Sequence, residues 1–106
     1  MMRNIILLAT AAVITLGITF SAHAAGDAAA GEAKSATCAA CHGPKGISPN
    51  PIWPNLAGQK DAYLVKQIKA FRDGGRTDPS MAPMAAALSD EDIANLAAYY
   101  SAMKCE

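Results

Sequence analysis

The 106-residue chain is poor in aromatic residues, with two Phe, one Trp and three Tyr, and it holds only three cysteines and two histidines. Each shortage excludes something. Nine basic residues balance nine acidic ones and no basic run occurs, which argues against a nucleic-acid partner. No segment alternates apolar and polar residues with a period of two, so no sheet is expected. A structural zinc site needs four ligands, usually as two separated pairs, and no second pair accompanies Cys38, Cys41 and His42; Cys105 stands alone near the end. A thioredoxin-like dithiol needs a βαβ context, which is missing as well.

One long apolar run is present, and it is N-terminal. Arg3 supplies a positive start, residues 5–20 are apolar apart from scattered Thr and Gly, and Ala22-His23-Ala24 is a small-x-small site. This pattern predicts a secretory signal peptide over residues 1–24, cleaved after Ala24, and a periplasmic address for residues 25–106. The competing reading is an uncleaved anchor over residues 5–22; Thr10, Thr15, Gly17 and Thr19 dilute the run and weaken it. No stable membrane insertion of the remaining chain is expected. A domain this small buries little apolar surface and needs a staple of some kind.

Residues 27–40 are Ala-rich and predict a first helix, with Asp27 as N-cap and Gly31 inside it. Residues 42–58 predict a stiff loop, since Pro44, Pro49, Pro51 and Pro54 bar regular helix or central strand. Its apolar residues are Ile52, Trp53 and Leu56. Residues 60–73 predict a second main helix, with Leu64, Ile68 and Phe71 on one face and Gly74-Gly75 ending it. Residues 76–87 are expected to be irregular, because Pro79 and Pro83 interrupt them. Ser89 predicts the N-cap of a last helix, with Asp92 completing a capping box and Ile93, Leu96, Ala97 and Tyr100 facing inward.

Cys38-Ala39-Ala40-Cys41-His42 is the C-x-x-C-H pattern of c-type haem attachment. Each thiol can add to one vinyl group, and the adjacent imidazole can reach the iron from the same face. A covalently held, largely apolar macrocycle would be the missing staple. Export agrees with this reading, since a bare dithiol would sit unprotected in an oxidising compartment. Loss of His23 with the leader makes His42 the sole imidazole, so a second axial ligand must be another residue type. Met81 and Met84, in the irregular Pro-flanked segment, are the candidates; Met103, near the end of an amphipathic helix, reads as core filler.

These motifs resemble the class I cytochromes c, nearest to the small soluble monohaem type and to one half of the two-domain dihaem type. The resemblance rests on Gly26-Asp27 and Gly31, on Cys38 to Gly43, on Pro51-Ile52-Trp53-Pro54-Asn55-Leu56-Ala57-Gly58-Gln59, on Tyr63-Leu64-Val65-Lys66-Gln67, and on Met81-Ala82-Pro83-Met84 leading into Leu88-Ser89-Asp90-Glu91-Asp92-Ile93 and Leu96-Ala97-Ala98-Tyr99-Tyr100. It implies an all-α small cytochrome c fold, three main helices and loops packed around one covalent haem c. It also implies Met81 as the second axial ligand, with Met84 the runner-up, and a haem pocket including Pro51, Trp53 and Leu56. The carbonyl of Pro51 is expected to accept a hydrogen bond from His42, and Gly31 to meet Tyr99 or Tyr100 where the first and last helices cross. Arg76 is a candidate partner for a haem propionate, a solvated surface arginine being the plain alternative.

With His42 and a methionine filling both axial positions, the resemblance implies a non-enzymatic electron carrier that docks briefly with donor and acceptor proteins. Lys45 and Lys60 are candidate orienting charges. The rival expectations are a haem subunit of a larger oxidoreductase and, if no methionine binds iron, a haem enzyme with an open sixth site. A monomer is expected; Cys105 reads as a free thiol on a frayed terminus, or else as the link of a disulfide dimer.

Overall fold

A computed structural model describes residues 26–105 together with Gly17; the rest of the expected leader and its cleavage site after Ala24 lie outside the described residues. The described residues form five helices and no strand: α1 (Ala28–Lys34), α2 (Ala36–His42), α3 (Asp61–Asp73), α4 (Met81–Ala85) and α5 (Asp90–Ser101). Among them no helix is long and apolar enough to cross a membrane.

The expected first helix is two helices. Asp27 caps α1 as anticipated, its carboxylate accepting from the amides of Ala29 (2.9 Å) and Ala30 (3.3 Å). The break falls at Ser35, whose hydroxyl donates to the Glu32 carbonyl at 2.8 Å and whose own amide donates to the same carbonyl at 3.1 Å. A serine side chain that offers the backbone an alternative partner interrupts a helix in this way. Helix α2 then runs past Ala40 to His42, so the thiols and the imidazole share one helix rather than straddling a helix and a loop.

α4 is a second departure, since residues 76–87 were expected to be irregular. Asp78 nucleates it, its carboxylate accepting from the amides of Ser80 (2.8 Å) and Met81 (3.0 Å). Pro83 is tolerated because it lies in the first turn, where an N–H would have no intrahelical partner.

The packing frame is the crossing of α1 over α5, the most extensive helix contact among the described residues. Gly31 is buried there, and a methyl group on it would overlap the Asn95 carbonyl and crowd Cβ of Tyr99. The side-chain oxygen of Asn95 accepts from the Asp27 amide at 2.7 Å, joining the start of α1 to the middle of α5. The predicted meeting of Gly31 with the last helix is therefore present, at Asn95 and Tyr99. The other face of α5 packs on α3: Leu64, Leu96, Ala97 and Tyr100 form the buried cluster, with Ile93 fully buried beside them. Complete burial of Ile93 and Leu96 contributes roughly 1.5–3 kcal/mol each.

Helix α5 starts with the predicted capping box: Ser89 Oγ accepts from the Asp92 amide (3.0 Å) and the Asp92 carboxylate from the Ser89 amide (3.1 Å). The Ser89 amide holds the Asp92 carboxyl below its ordinary pKa, and Lys34 at 3.6 Å adds to this. Arg72 at the end of α3 ties α5 down, donating to Asp90 (2.7 Å) and to the Leu88 carbonyl (3.2 Å).

Gly31→Ala is expected to lower stability by about 1–3 kcal/mol, because the Asn95 carbonyl is backbone and cannot step aside cheaply; denaturant unfolding of the haem-loaded protein measures it. A carboxyl whose pKa is depressed on folding adds stability above its unfolded pKa of about 3.9 and loses that contribution as pH falls through the folded value. Asp92→Asn keeps the hydrogen-bond acceptor and removes the charge. The variant is expected to lose less stability than the parent when urea unfolding at neutral pH is compared with unfolding at about pH 3.

Candidate haem-binding site

The site is built on the last two turns of α2. Cys38, Cys41 and His42 stand at i, i+3 and i+4, which places all three on one helical face. Cys38 points inward, packed against the cluster of Leu64, Leu96, Ala97 and Tyr100, and burial pushes its thiol pKa up. Gly43 ends the helix with φ +85°, a left-handed value that a side chain would strain.

His42 is only 6% exposed. Its Nδ1 lies 2.8 Å from the Pro54 carbonyl, so Nδ1–H donates there and Nε2 keeps its lone pair for a metal. The expected partner was the carbonyl of Pro51, and this is corrected. A turn separates the two prolines: the Trp53 amide donates to the Asn50 carbonyl at 3.1 Å, and the Ile52 amide to Asn50 Oδ1 at 3.0 Å. That turn carries Pro51 into solvent. The chain then returns, the amides of Leu56 and Ala57 both donating to the Gly46 carbonyl at 2.8 and 3.0 Å, which sets Pro54 over the imidazole. Ser48 pins the loop to the helix end through the Cys41 carbonyl at 3.3 Å.

Of the other expected pocket residues, Leu56 is half-buried against the core cluster and Trp53 is half-buried in the loop. Met81 opens α4 and is half-buried, whereas Met84 is 47% exposed. Arg76 is exposed and its guanidinium is occupied: Nη1 donates to Gln67 at 2.8 Å and the group stacks 4.5 Å from the Phe71 ring centre. Met103 packs against the core, as its filler role requires. Cys105 is not frayed away, because its thiol donates to the Ala57 carbonyl at 3.1 Å.

Three residues have roles that the sequence reading did not assign. Pro54 was read as loop punctuation and as part of a matching motif, not as the partner of His42. Asn95 lies off the apolar stripe of α5, on the side turned to α1, and the hydrophobic periodicity did not mark it. Tyr100, anticipated as core, has a buried hydroxyl that lies by Cys38 and Ser35 without reaching either in hydrogen-bond geometry.

These residues fit a haem. Two thiols and one held imidazole share a face, and among the described residues the buried core consists of seven apolar residues, three of them alanines (Ala57, Ala85, Ala97). Around it Leu56, Val65, Ile68 and Leu88 remain only partly covered. A domain of this kind is made to be completed by a covalently bound apolar macrocycle.

Comparison with known proteins agrees. The family model for cytochrome c matches residues 28–104. Cytochrome c4 of Pseudomonas aeruginosa is 53% identical over 92 residues, covering 87% of this chain and 46% of that protein. Cytochrome c-554(548) of Halomonas halodenitrificans is 58% identical over 83 residues, covering 76% of this chain and 100% of that protein. The crystal structure of reduced recombinant cytochrome c4 from Pseudomonas stutzeri superposes with a TM-score of 0.73 at 45% identity, covering 76% of this chain and 47% of that one. The chain belongs to the cytochrome c family, and its cofactor is covalently bound haem c. It spans about half the length of the cytochrome c4 relatives it matches.

Cys38→Ala/Cys41→Ala is expected to abolish covalent attachment, so that acid–acetone extraction removes all haem from the variant and none from the parent. A haemochrome spectrum of the extracted protein reads the difference.

Proposed function

We propose that this protein is a periplasmic one-electron carrier, exported with a leader cleaved after Ala24, and that Met81 is the second axial ligand opposite His42. The observation that supports it most is the buried His42 ring, oriented by the Pro54 carbonyl with Nε2 left for iron. When bound, the haem supplies an iron centre that alternates between ferric and ferrous states. The chain's part is to hold and tune it. The hydrogen bond to Pro54 fixes the imidazole tautomer and ring plane and raises ligand basicity. A thioether sulfur supplied by Met81 would raise the reduction potential. Met81 is favoured over Met84 by its partial burial and by Asp78, which anchors its backbone amide.

Two filled axial positions leave no place for a substrate, so the protein is read as a carrier rather than an enzyme. Its donor and acceptor are redox proteins met in small, short-lived encounters. Lys45 and Lys60 are exposed and available to orient them. The contact of Cys105 with Ala57 supports the monomer over a disulfide-linked pair. A second reading, a haem subunit of a larger oxidoreductase, is supported by the likeness to thiosulfate dehydrogenase (TsdBA) from Marichromatium purpuratum, with a TM-score of 0.67 at 34% identity over 73% of this chain and 19% of that one.

Met81→Ala is expected to lose the visible to near-infrared band of methionine–ferric ligation and to bind added imidazole or carbon monoxide at the iron, while Met84→Ala keeps the band. Loss of the band in Met84→Ala alone would reassign the ligand. A parent protein that lacks the band and binds carbon monoxide would favour an open-site haem enzyme.

A further inference from the structure

A depression of about 410 Å³ lies between the loop that follows His42 and the end of α5. Its lining includes none of Cys38, Cys41, His42 or Met81: Ile47, Tyr99 and Met103 give it an apolar floor beside Pro44, and Lys45 and Lys104 stand on its rim. Among the described residues no carboxylate lines it and neither lysine takes part in an ion pair. The floor is also wired inward. The Tyr99 ring sits 5.1 Å from that of Tyr100 at 60°. Tyr100, 2% exposed, belongs to the cluster against which Cys38 packs.

We propose that this depression is a second docking surface, taking an acidic one-electron redox protein, and that Tyr99 and Tyr100 couple it electronically to Cys38. The proposal rests on the carrier reading above. Lys45 and Lys104 supply charge complementarity to an acidic face, which steers encounter and fixes register. The apolar floor then takes an uncharged side chain of the partner, as the core of a protein interface does. A small anion would use the lysines and leave the floor uncovered. One electron leaves the reduced partner and arrives at the haem iron. No proton moves and neither tyrosine is oxidised, because the packed rings and the Cys38 sulfur serve only as the medium between donor and acceptor. Continuous packed atoms transmit such coupling better than a solvent gap of the same length.

The test uses the haem-loaded protein with flavodoxin as the probe, an acidic protein and a one-electron donor when reduced. Oxidised flavodoxin is expected to shift backbone amide resonances at 45–47 and 99–104. Lys45→Glu/Lys104→Glu should abolish those shifts, lower the bimolecular reduction rate about tenfold at low ionic strength, and flatten its salt dependence. Lys66→Glu, at an exposed lysine outside the depression, should change the rate little. Tyr99→Leu is expected to keep the shifts elsewhere in the patch while slowing electron transfer within the complex severalfold, and Tyr99→Phe to restore it, since the ring and not the hydroxyl carries the coupling. Shifts confined to 59–63, a rate governed by Lys60, or equal rates in Tyr99→Leu and the parent would overturn the proposal. So would sedimentation showing that the patch is covered by a second copy of this chain. The methionine–iron band and midpoint potential are recorded on the same samples; their loss in the parent counts against the carrier reading, whereas intact values with a failed patch test count against the docking surface alone.

Discussion

The close approach of α1 to α5 is the constraint on which the rest of this molecule depends. It exists because Gly31 has no side chain, so the backbone of α1 can rest on the Asn95 carbonyl. Asn95 then spends its side chain on the Asp27 amide. With α5 fixed in this way, Leu96 and Tyr100 face α3 and Cys38, and the position of α2 follows, since one residue, Ser35, separates it from α1. The haem-bearing face is thus set by a contact that involves no haem ligand. A buried amide is costly unless satisfied, and here satisfaction ties together two segments 68 residues apart.

The second constraint is scarcity of apolar matter. Few large side chains are fully buried, and several others stay half-covered around them. The protein stands near the size at which a core alone gives marginal stability. A covalent macrocycle changes that balance and cannot dissociate when the fold loosens. The proline-rich loop serves the same end by other means. Its turns cost little entropy to order, because the prolines are already restricted, and they bring the Pro54 carbonyl to the imidazole at hydrogen-bond distance. One segment thereby provides both a wall and the group that orients the ligand.

Local chemistry was legible in the residues themselves. Asp27 as cap, the Ser89–Asp92 box, the inward stripe of α5 and the three-residue haem motif depend on neighbours one to four positions away, and all stand where the sequence indicated. The departures have local causes too, but competing ones. Ser35 turned its hydroxyl back on Glu32 and divided a helix whose composition gave no sign of a break. Asp78 held the amides of Ser80 and Met81 and so started a short helix in a proline-interrupted segment. Pro51 and Pro54 offered the same carbonyl chemistry three residues apart, and choosing between them required the course of the loop.

The sequence alone determined that two thiols stand beside one imidazole, and that helices with caps and apolar stripes accompany them, because these depend on spacing along the chain. Only the tertiary structure decided which proline carbonyl meets His42, what Gly31 makes room for, and where Cys105 is tied, because each joins residues far apart in sequence. Such contacts are fixed by the packing of whole elements. No periodicity in a linear chain records the separation between them.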